Sequence, residues 1–174
     1  MKGTNGYGLV YGRSARKEVG ICGFVDSDFA GDLDRRRSLI DYLFFLGGCL
    51  VNWKASLQHV VALSATKTKY TAATEAVKKA LWLKGLITKL GIKQEIVEVH
   101  CDSSSAIYLR KNPTHHEKTK HIDIKLHFIK NVISKSVISM VKVNTDNNPA
   151  DMLTKVIPTT KFKSCLDKAG LSNF

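Results

Sequence analysis

Proline is scarce in this sequence, with three in 174 residues, and no uninterrupted apolar run reaches the roughly 18 residues that a membrane-spanning helix requires. The start of the chain lacks the basic, apolar and small-residue sections of a signal peptide. Neither membrane insertion nor secretion is therefore expected, and the expected location is intracellular, with nothing to choose between cytoplasm and nucleus. Cysteines are few, and Cys22, Cys49, Cys101 and Cys165 show no C-x-x-C spacing. Three of them fall in apolar runs that read as strands, which argues for buried thiols in a reducing compartment rather than a disulfide or zinc framework. Acidic residues are the minority charge, 15 against 27 Lys and Arg, and the resulting net charge of +12 favours a polyanionic partner such as nucleic acid. What is plentiful is apolar material, 44% of the chain, enough for one compact core and a single domain.

Several segments have the alternation or apolar density of strands: 19–25, 39–46, 49–54 and 59–63, with Gly47-Gly48 as a hairpin turn between the second and third. The Gly-rich start reads as an incoming connection over 1–18, ahead of a domain over 19–174 with a C-terminal tail from about 156. From Ser64 the period changes. Ala73, Ala76, Val77, Ala80, Leu83, Ile87 and Leu90 recur every three or four positions, which predicts a long helix stopped at Gly91. A strand over 96–101 runs into Asp102 and a Ser-rich helix start, followed by a helix to about residue 111 and a turn at Asn112-Pro113. A basic amphipathic helix over 119–134 carries Ile122, Leu126, Ile129 and Ile133 near one face, and a strand over 137–143 follows. Asn148-Pro149-Ala150-Asp151 then opens a helix with proline at its first turn. A strand meander, then alternating helix and strand, then helices predicts an α/β fold with a mixed sheet flanked by helices.

Three carboxylates stand at comparable places: Asp26 in the acidic run after the first strand, Asp102 after a later central strand, and Asp151 at a late helix start. A mixed sheet can bring them to one edge, where they would repel one another unless a hard cation such as Mg²⁺ sat among them. Two such ions roughly 4 Å apart activate a water and stabilise the leaving oxygen of a phosphodiester. Capping alone also places Asp at strand ends and helix starts.

The segments Phe24-Val25-Asp26-Ser27-Asp28-Phe29-Ala30-Gly31-Asp32, Asp34-Arg35-Arg36-Arg37-Ser38, Phe45-Leu46-Gly47-Gly48, Asn52-Trp53-Lys54, Val61-Ala62-Leu63-Ser64, His100-Cys101-Asp102, Ser105-Ala106-Ile107, Thr119-Lys120-His121-Ile122-Asp123 and Pro149-Ala150-Asp151-Met152-Leu153-Thr154-Lys155 resemble the ribonuclease H domain of copia-type retrotransposon polyproteins, in the family's order and over nearly the whole chain. The resemblance implies a ribonuclease H-like fold, a five-stranded mixed sheet with an antiparallel meander and then parallel strands, that cuts the RNA strand of RNA–DNA hybrids with two Mg²⁺ ions, Mn²⁺ being a possible substitute. It also implies a reverse transcriptase part in the same ancestral polyprotein. The family's acidic set is Asp, Glu, Asp, Asp, and three members carry over onto Asp26, Asp102 and Asp151 as catalytic metal ligands.

The Glu does not carry over. Where the family has Thr-Glu-Ala-Glu-Tyr, this chain has Thr66-Lys67-Thr68-Lys69-Tyr70, and Lys69 aligns with the catalytic Glu. Periodicity agrees, since Lys69 precedes Ala73, Ala76 and Ala80 on the sheet-facing stripe while Lys67 falls with Thr71, Thr74 and Lys78 on the solvent side. An ammonium has three donors and no lone pair for a metal, so the reading is weakened metal binding and impaired cleavage. Glu75, about 120° around the helix from Lys69, is a poor substitute. Relative to the family pattern the two Glu to Lys changes, Ala to Thr at Thr68 and Gly to Asp at Asp41 are each one G-to-A base change, a cluster that fits a decaying element copy with no selected function. The alternative from another class is a non-catalytic module that retains RNA or hybrid affinity.

By the same resemblance the loop from His115 to His121 lies beside the active edge, and His116 and His121 are candidates for assisting proton transfer or product release. With His127 and Asp123 nearby these histidines suggest zinc by count only, because no Cys joins them. Arg35, Arg36, Arg37, Arg110, Lys111, Lys118 and Lys120, with Lys125 and Lys130, supply a basic face for phosphates, and contacts to an A-form-like hybrid would follow shape rather than sequence. Trp53 and Trp82 read as core residues, within a strand and a helix.

Overall fold

The computed structural model describes residues 6–11, 20–32, 34–59, 61–102 and 120–173, with 120–123 described by their backbone alone. After a short strand β1 (Tyr7–Leu9) come the three strands of the meander, β2 (Ile21–Asp32), β3 (Arg37–Leu46) and β4 (Cys49–Leu57). Helix α1 (Ala65–Lys89), strand β5 (Val97–Cys101), helix α2 (Lys120–Ser134) and strand β6 (Ile138–Lys142) follow. Two 3-10 turns, Thr145–Asn147 and Pro149–Leu153, lead to α3 (Thr159–Ala169) and β7 (Leu171–Asn173). The main sheet has five strands in the order β4-β3-β2-β5-β6, antiparallel through β2 and parallel from β2 to β6. This is the α/β mixed sheet read from the sequence.

The meander forms because Gly47 and Gly48 adopt φ of 57° and 84°, the left-handed turn that reverses β3 into β4. Strand β2 runs well past residue 25, since its pairing with β3 continues through a bulge between Asp28 and Asp32, with Ala30 at φ 54°. The apolar run over 59–63 is not a strand in any described residue. Gln58 N–H bonds to Ser38 C=O as the pairing ends, Ala62 alone is buried among the described residues of this run, and Leu63 is 82% exposed. β4 is the sheet edge among the described residues, and none of their strands lies beyond it to recruit this run.

Ser64 caps α1, its hydroxyl accepting from Lys67 N–H at 3.2 Å. Ala72, Ala73, Ala76, Val77, Ala80, Leu83 and Ile87 are buried against the sheet, and the four alanines let the helix lie close to it. Leu90 falls off this stripe as the C-cap and is exposed. Thr74, read as solvent-facing, is buried instead, and its hydroxyl is satisfied by the Tyr70 carbonyl at 2.7 Å. Trp53 and Trp82 are 55% and 58% exposed. Trp53 shares the outward side of edge strand β4 with Val51, and Trp82 lies under the Lys79 ammonium on the outer side of α1.

The opposite sheet face is covered by the chain's last part. Leu43, Phe45 and Leu50 pack with Ala169, Met152, Leu153 and Leu171. Gly170, at φ 72°, ends α3 and turns the chain into β7, which pairs with β1. Residues 7–9, within the stretch read as an incoming connection, are thus paired to the end of the domain. The α1 face is packed along the helix, whereas the other face is covered in part and leaves Glu98 and His100 of β5 lining an open cleft with Cys22, Phe24 and Phe45.

One close approach is checkable. Gly23 faces Phe44 across the β2–β3 ladder, and a Cβ there would meet the buried ring at 2.4 Å. Gly23→Ala is expected to destabilise the fold by about 1–3 kcal/mol in urea unfolding. A loss within error of zero would mean that Phe44 is not fixed in the core.

Candidate active site

Pairing of Val25 with Cys101 brings the middle of β2 level with the end of β5, so that Asp26 and Asp102 leave adjacent strands at the same height. Asp151 arrives from the other side. Asn148 caps the second 3-10 turn, its Oδ1 accepting from Ala150 N–H at 3.2 Å and its Nδ2 donating to the Val25 carbonyl at 3.1 Å. Fully buried, Asn148 pins the turn to β2 next to Asp26. Carboxylate oxygens of Asp26, Asp102 and Asp151 all lie within 4.8 Å of one another, Asp26 and Asp151 being buried and Asp102 half-buried. Thr145 Oγ1 donates to Asp102 Oδ2 at 3.4 Å.

Lysines meet this cluster from two directions. Lys155 Nζ lies 2.5 Å from Asp26 Oδ2 and 3.1 Å from Asp151 Oδ1. Lys161 Nζ lies 2.6 Å from Asp151 Oδ2 and 2.9 Å from the Thr145 carbonyl. Both Asp151 oxygens are therefore engaged by ammonium groups. Half-buried Lys69 lines a small cleft with Val25, Asp26, Ser27, Ala72, Ala73, Cys101 and Asp102. Lys69 stands at the acidic edge, as its place on the helical stripe predicts, while the ion pairs come from Lys155 and Lys161, which sequence reasoning missed. Lys155 carried a local signal, standing four residues after Asp151 at a spacing that pairs side chains; Lys161, beyond Pro158 and in another helix, carried none.

A fourth carboxylate is built into the wall. Asp41 is the cross-strand partner of Asp26 and is fully buried; its Oδ2 accepts from Thr154 Oγ1 at 3.5 Å and its Oδ1 has no hydrogen-bond partner. Burial, and then the negative charge of Asp26, push the Asp41 carboxyl up to about 8. Burial likewise raises Asp26 to about 6, against the pull of Lys155. Burial acts to raise Asp151 too, but hydrogen bonds with Lys161, Asp26 and Lys155 outweigh it and hold Asp151 below the ordinary value. Lys155, desolvated, is nonetheless raised above the usual lysine range by Asp26 and Asp151.

Three convergent carboxylates are the donor chemistry of a hard divalent cation, and in kind the set could hold one. In charge it does not fit as it stands. Asp26, Asp102 and Asp151 contribute three negative charges, and Lys69, Lys155 and Lys161 three positive ones, so little net field remains to attract an ion.

Arg35, Arg36 and Arg37 occupy the tip of the β2–β3 hairpin, the first two exposed, with Asp32 Oδ1 accepting from Asp34 and Arg35 N–H groups. Lys120 and His121 begin α2, where only the backbone is described. Arg110, Lys111, Lys118 and His116 lie outside the described residues, as do the helix to about 111 and the turn at Asn112-Pro113. Glu75 bonds to Lys78 at 3.3 Å and lines a separate cleft with Lys67, Thr71 and Lys125, away from the triad.

No protein-family model matches the chain. Over 171 residues, 98% of its length, it is 43% identical to the retrovirus-related Pol polyprotein from transposon TNT 1-94 of Nicotiana tabacum. It is 31% identical, over 99% of its length, to that from transposon RE1 of Arabidopsis thaliana. The chain spans only 13% and 12% of these two curated relatives. Among solved structures it is similar to RNase H1 of Halobacterium salinarum, with a TM-score of 0.56 at 14% identity over 86% of this chain and 98% of the other. LC11-RNase H1 in complex with an RNA/DNA hybrid gives 0.54 at 16% identity, over 76% and 92%. At these identities the two structures speak for the fold alone.

Proposed function

The chain belongs to the ribonuclease H-like domains of copia-type retrotransposon Pol polyproteins, and from that premise we propose that it binds RNA–DNA hybrid through its basic surface while its own hydrolysis of the RNA strand is impaired. The observation that carries the proposal is Lys69 lining the cleft of Asp26 and Asp102, at the position we align with the family's catalytic Glu. An ammonium there offers no lone pair to Mg²⁺ or Mn²⁺ and adds positive charge where cation binding needs negative.

Binding does not share this defect. It draws on the net charge of +12, on Arg35 to Arg37 at the hairpin tip, and on Arg110, Lys111, Lys118 and Lys120, which we assign to phosphate contact. Hybrid as the ligand is favoured because one structural neighbour was solved with an RNA/DNA hybrid. His116 and His121 remain our candidates for the histidine at the active edge, and the reverse transcriptase part of the ancestral polyprotein our proposed partner. We keep residues 1–18 as an incoming connection and 19–174 as the ribonuclease H-like domain.

The test uses a labelled RNA–DNA hybrid. Anisotropy is expected to report binding that weakens steeply as salt rises, while gels show no strand cleavage with Mg²⁺ or Mn²⁺. Cleavage by the unaltered chain would overturn the assignment to Lys69 and require another carboxylate in the fourth role; absence of binding at low salt would overturn the proposal altogether.

A further inference from the structure

We infer that Lys155 is the resident cation of the acidic centre: its ammonium, bridging Asp26 and Asp151 beside the buried Asp41, supplies the positive charge that a divalent ion would otherwise supply. The inference rests on reading Asp26, Asp102 and Asp151 as one acidic set, and it concerns what balances that set.

Geometry makes Lys155 a bridge rather than a neighbour. It contacts carboxylates on two different elements, Asp26 on β2 at 2.5 Å and Asp151 in the 3-10 turn at 3.1 Å, so it ties the C-terminal segment to the central strand. Lys161 takes the other Asp151 oxygen at 2.6 Å. An ion seeking lone pairs from Asp26 and Asp151 has to displace these contacts. Asp41, the cross-strand partner of Asp26, is fully buried, its Oδ2 lying 3.5 Å from Thr154 Oγ1. Lys155 reaches the two carboxylates from just beyond the turn that carries Asp151, its side chain 31% exposed.

Mn²⁺ titration followed by electron paramagnetic resonance, in the absence of nucleic acid, tests the inference. Lys155→Met is expected to bind Mn²⁺ at least about tenfold more tightly than the parent and to gain thermal stability on Mn²⁺ addition, which the parent does not. Adding Asp151→Asn to Lys155→Met is expected to abolish the gain. Saturable binding of equal affinity in parent and Lys155→Met would overturn the inference. Should Lys155→Met not fold, the parent decides: Mn²⁺ is expected to leave reductive methylation of the Lys155 amine unchanged, whereas an ion entering the centre would free that amine and raise its labelling. Strand cleavage plays no part in these readouts, so their failure is distinct from failure of the proposed function.

Discussion

Replacing Asp41 by asparagine is expected to stabilise the fold by an amount that grows with pH, the gap to the parent widening by about 4 kcal/mol between pH 4 and pH 8. Asp41 is fully buried, and its carboxyl is raised from an ordinary value of 3.8 to about 8, by burial first and by Asp26 second. Its folded pKa lies above its unfolded one, so the folded state holds a proton that the unfolded state gives up across this window. The stability it contributes is full below pH 4 and is lost as pH rises through 8. Asparagine has the same shape and no proton to lose, and its amide can donate toward the neighbouring carboxylates. Asp26, raised to about 6, follows the same sign, but it titrates in both proteins and drops out of the comparison to first order. Asp151 has the opposite sign: its pKa is lowered, so its contribution is lost as pH falls below 4. Urea unfolding of both proteins at pH 4, 6 and 8 measures the gap. A gap independent of pH would mean that Asp41 is ionised throughout and compensated by Lys155.

Asp41 also illustrates what a linear sequence conceals. As a residue it stood out, because the family pattern has Gly there, but its place facing Asp26 depends on the β2–β3 register, which emerges only when the hairpin is closed. The triad was legible since each member follows an apolar run or opens a turn, although Asp26 stands within β2 and not at its end, and α1 was legible since alanines at helical spacing signal a face pressed on a sheet. The run over 59–63 was misread because apolar density is a local property, whereas strand formation needs a neighbour, and β4 is already the edge among the described residues. The two tryptophans were misread for a related reason. Element membership says nothing about which face of an edge strand or an outer helix a ring will take. Lys161 was invisible because its contact to Asp151 crosses from one element to another.

Lys69→Glu is expected to bring hybrid cleavage into view with Mg²⁺ or Mn²⁺, at least about a hundredfold above the parent, equivalent to roughly 2.7 kcal/mol in the barrier. Charge arithmetic at the centre supports a large effect. Three carboxylates against three ammoniums sum to zero in the parent; four carboxylates against Lys155 and Lys161 leave two negative charges, the complement of one divalent ion. The substitution shifts the charge by two units in the cleft that Lys69 shares with Asp26 and Asp102, against the ion pairs of Lys155 and Lys161 that an entering metal must displace. Asp102→Asn added to Lys69→Glu is expected to remove the regained activity. Lys67→Glu is the decisive control. It makes the same change in net charge two residues away, but Lys67 lines the other cleft, with Thr71, Glu75 and Lys125. If Lys67→Glu restored cleavage as well as Lys69→Glu, the gain would be a long-range effect of net charge, and the alignment of Lys69 with the family's Glu would lose its support. If only Lys69→Glu restores it, one side chain on the sheet-facing stripe of α1 separates a hydrolase from a domain that binds its substrate without cutting it.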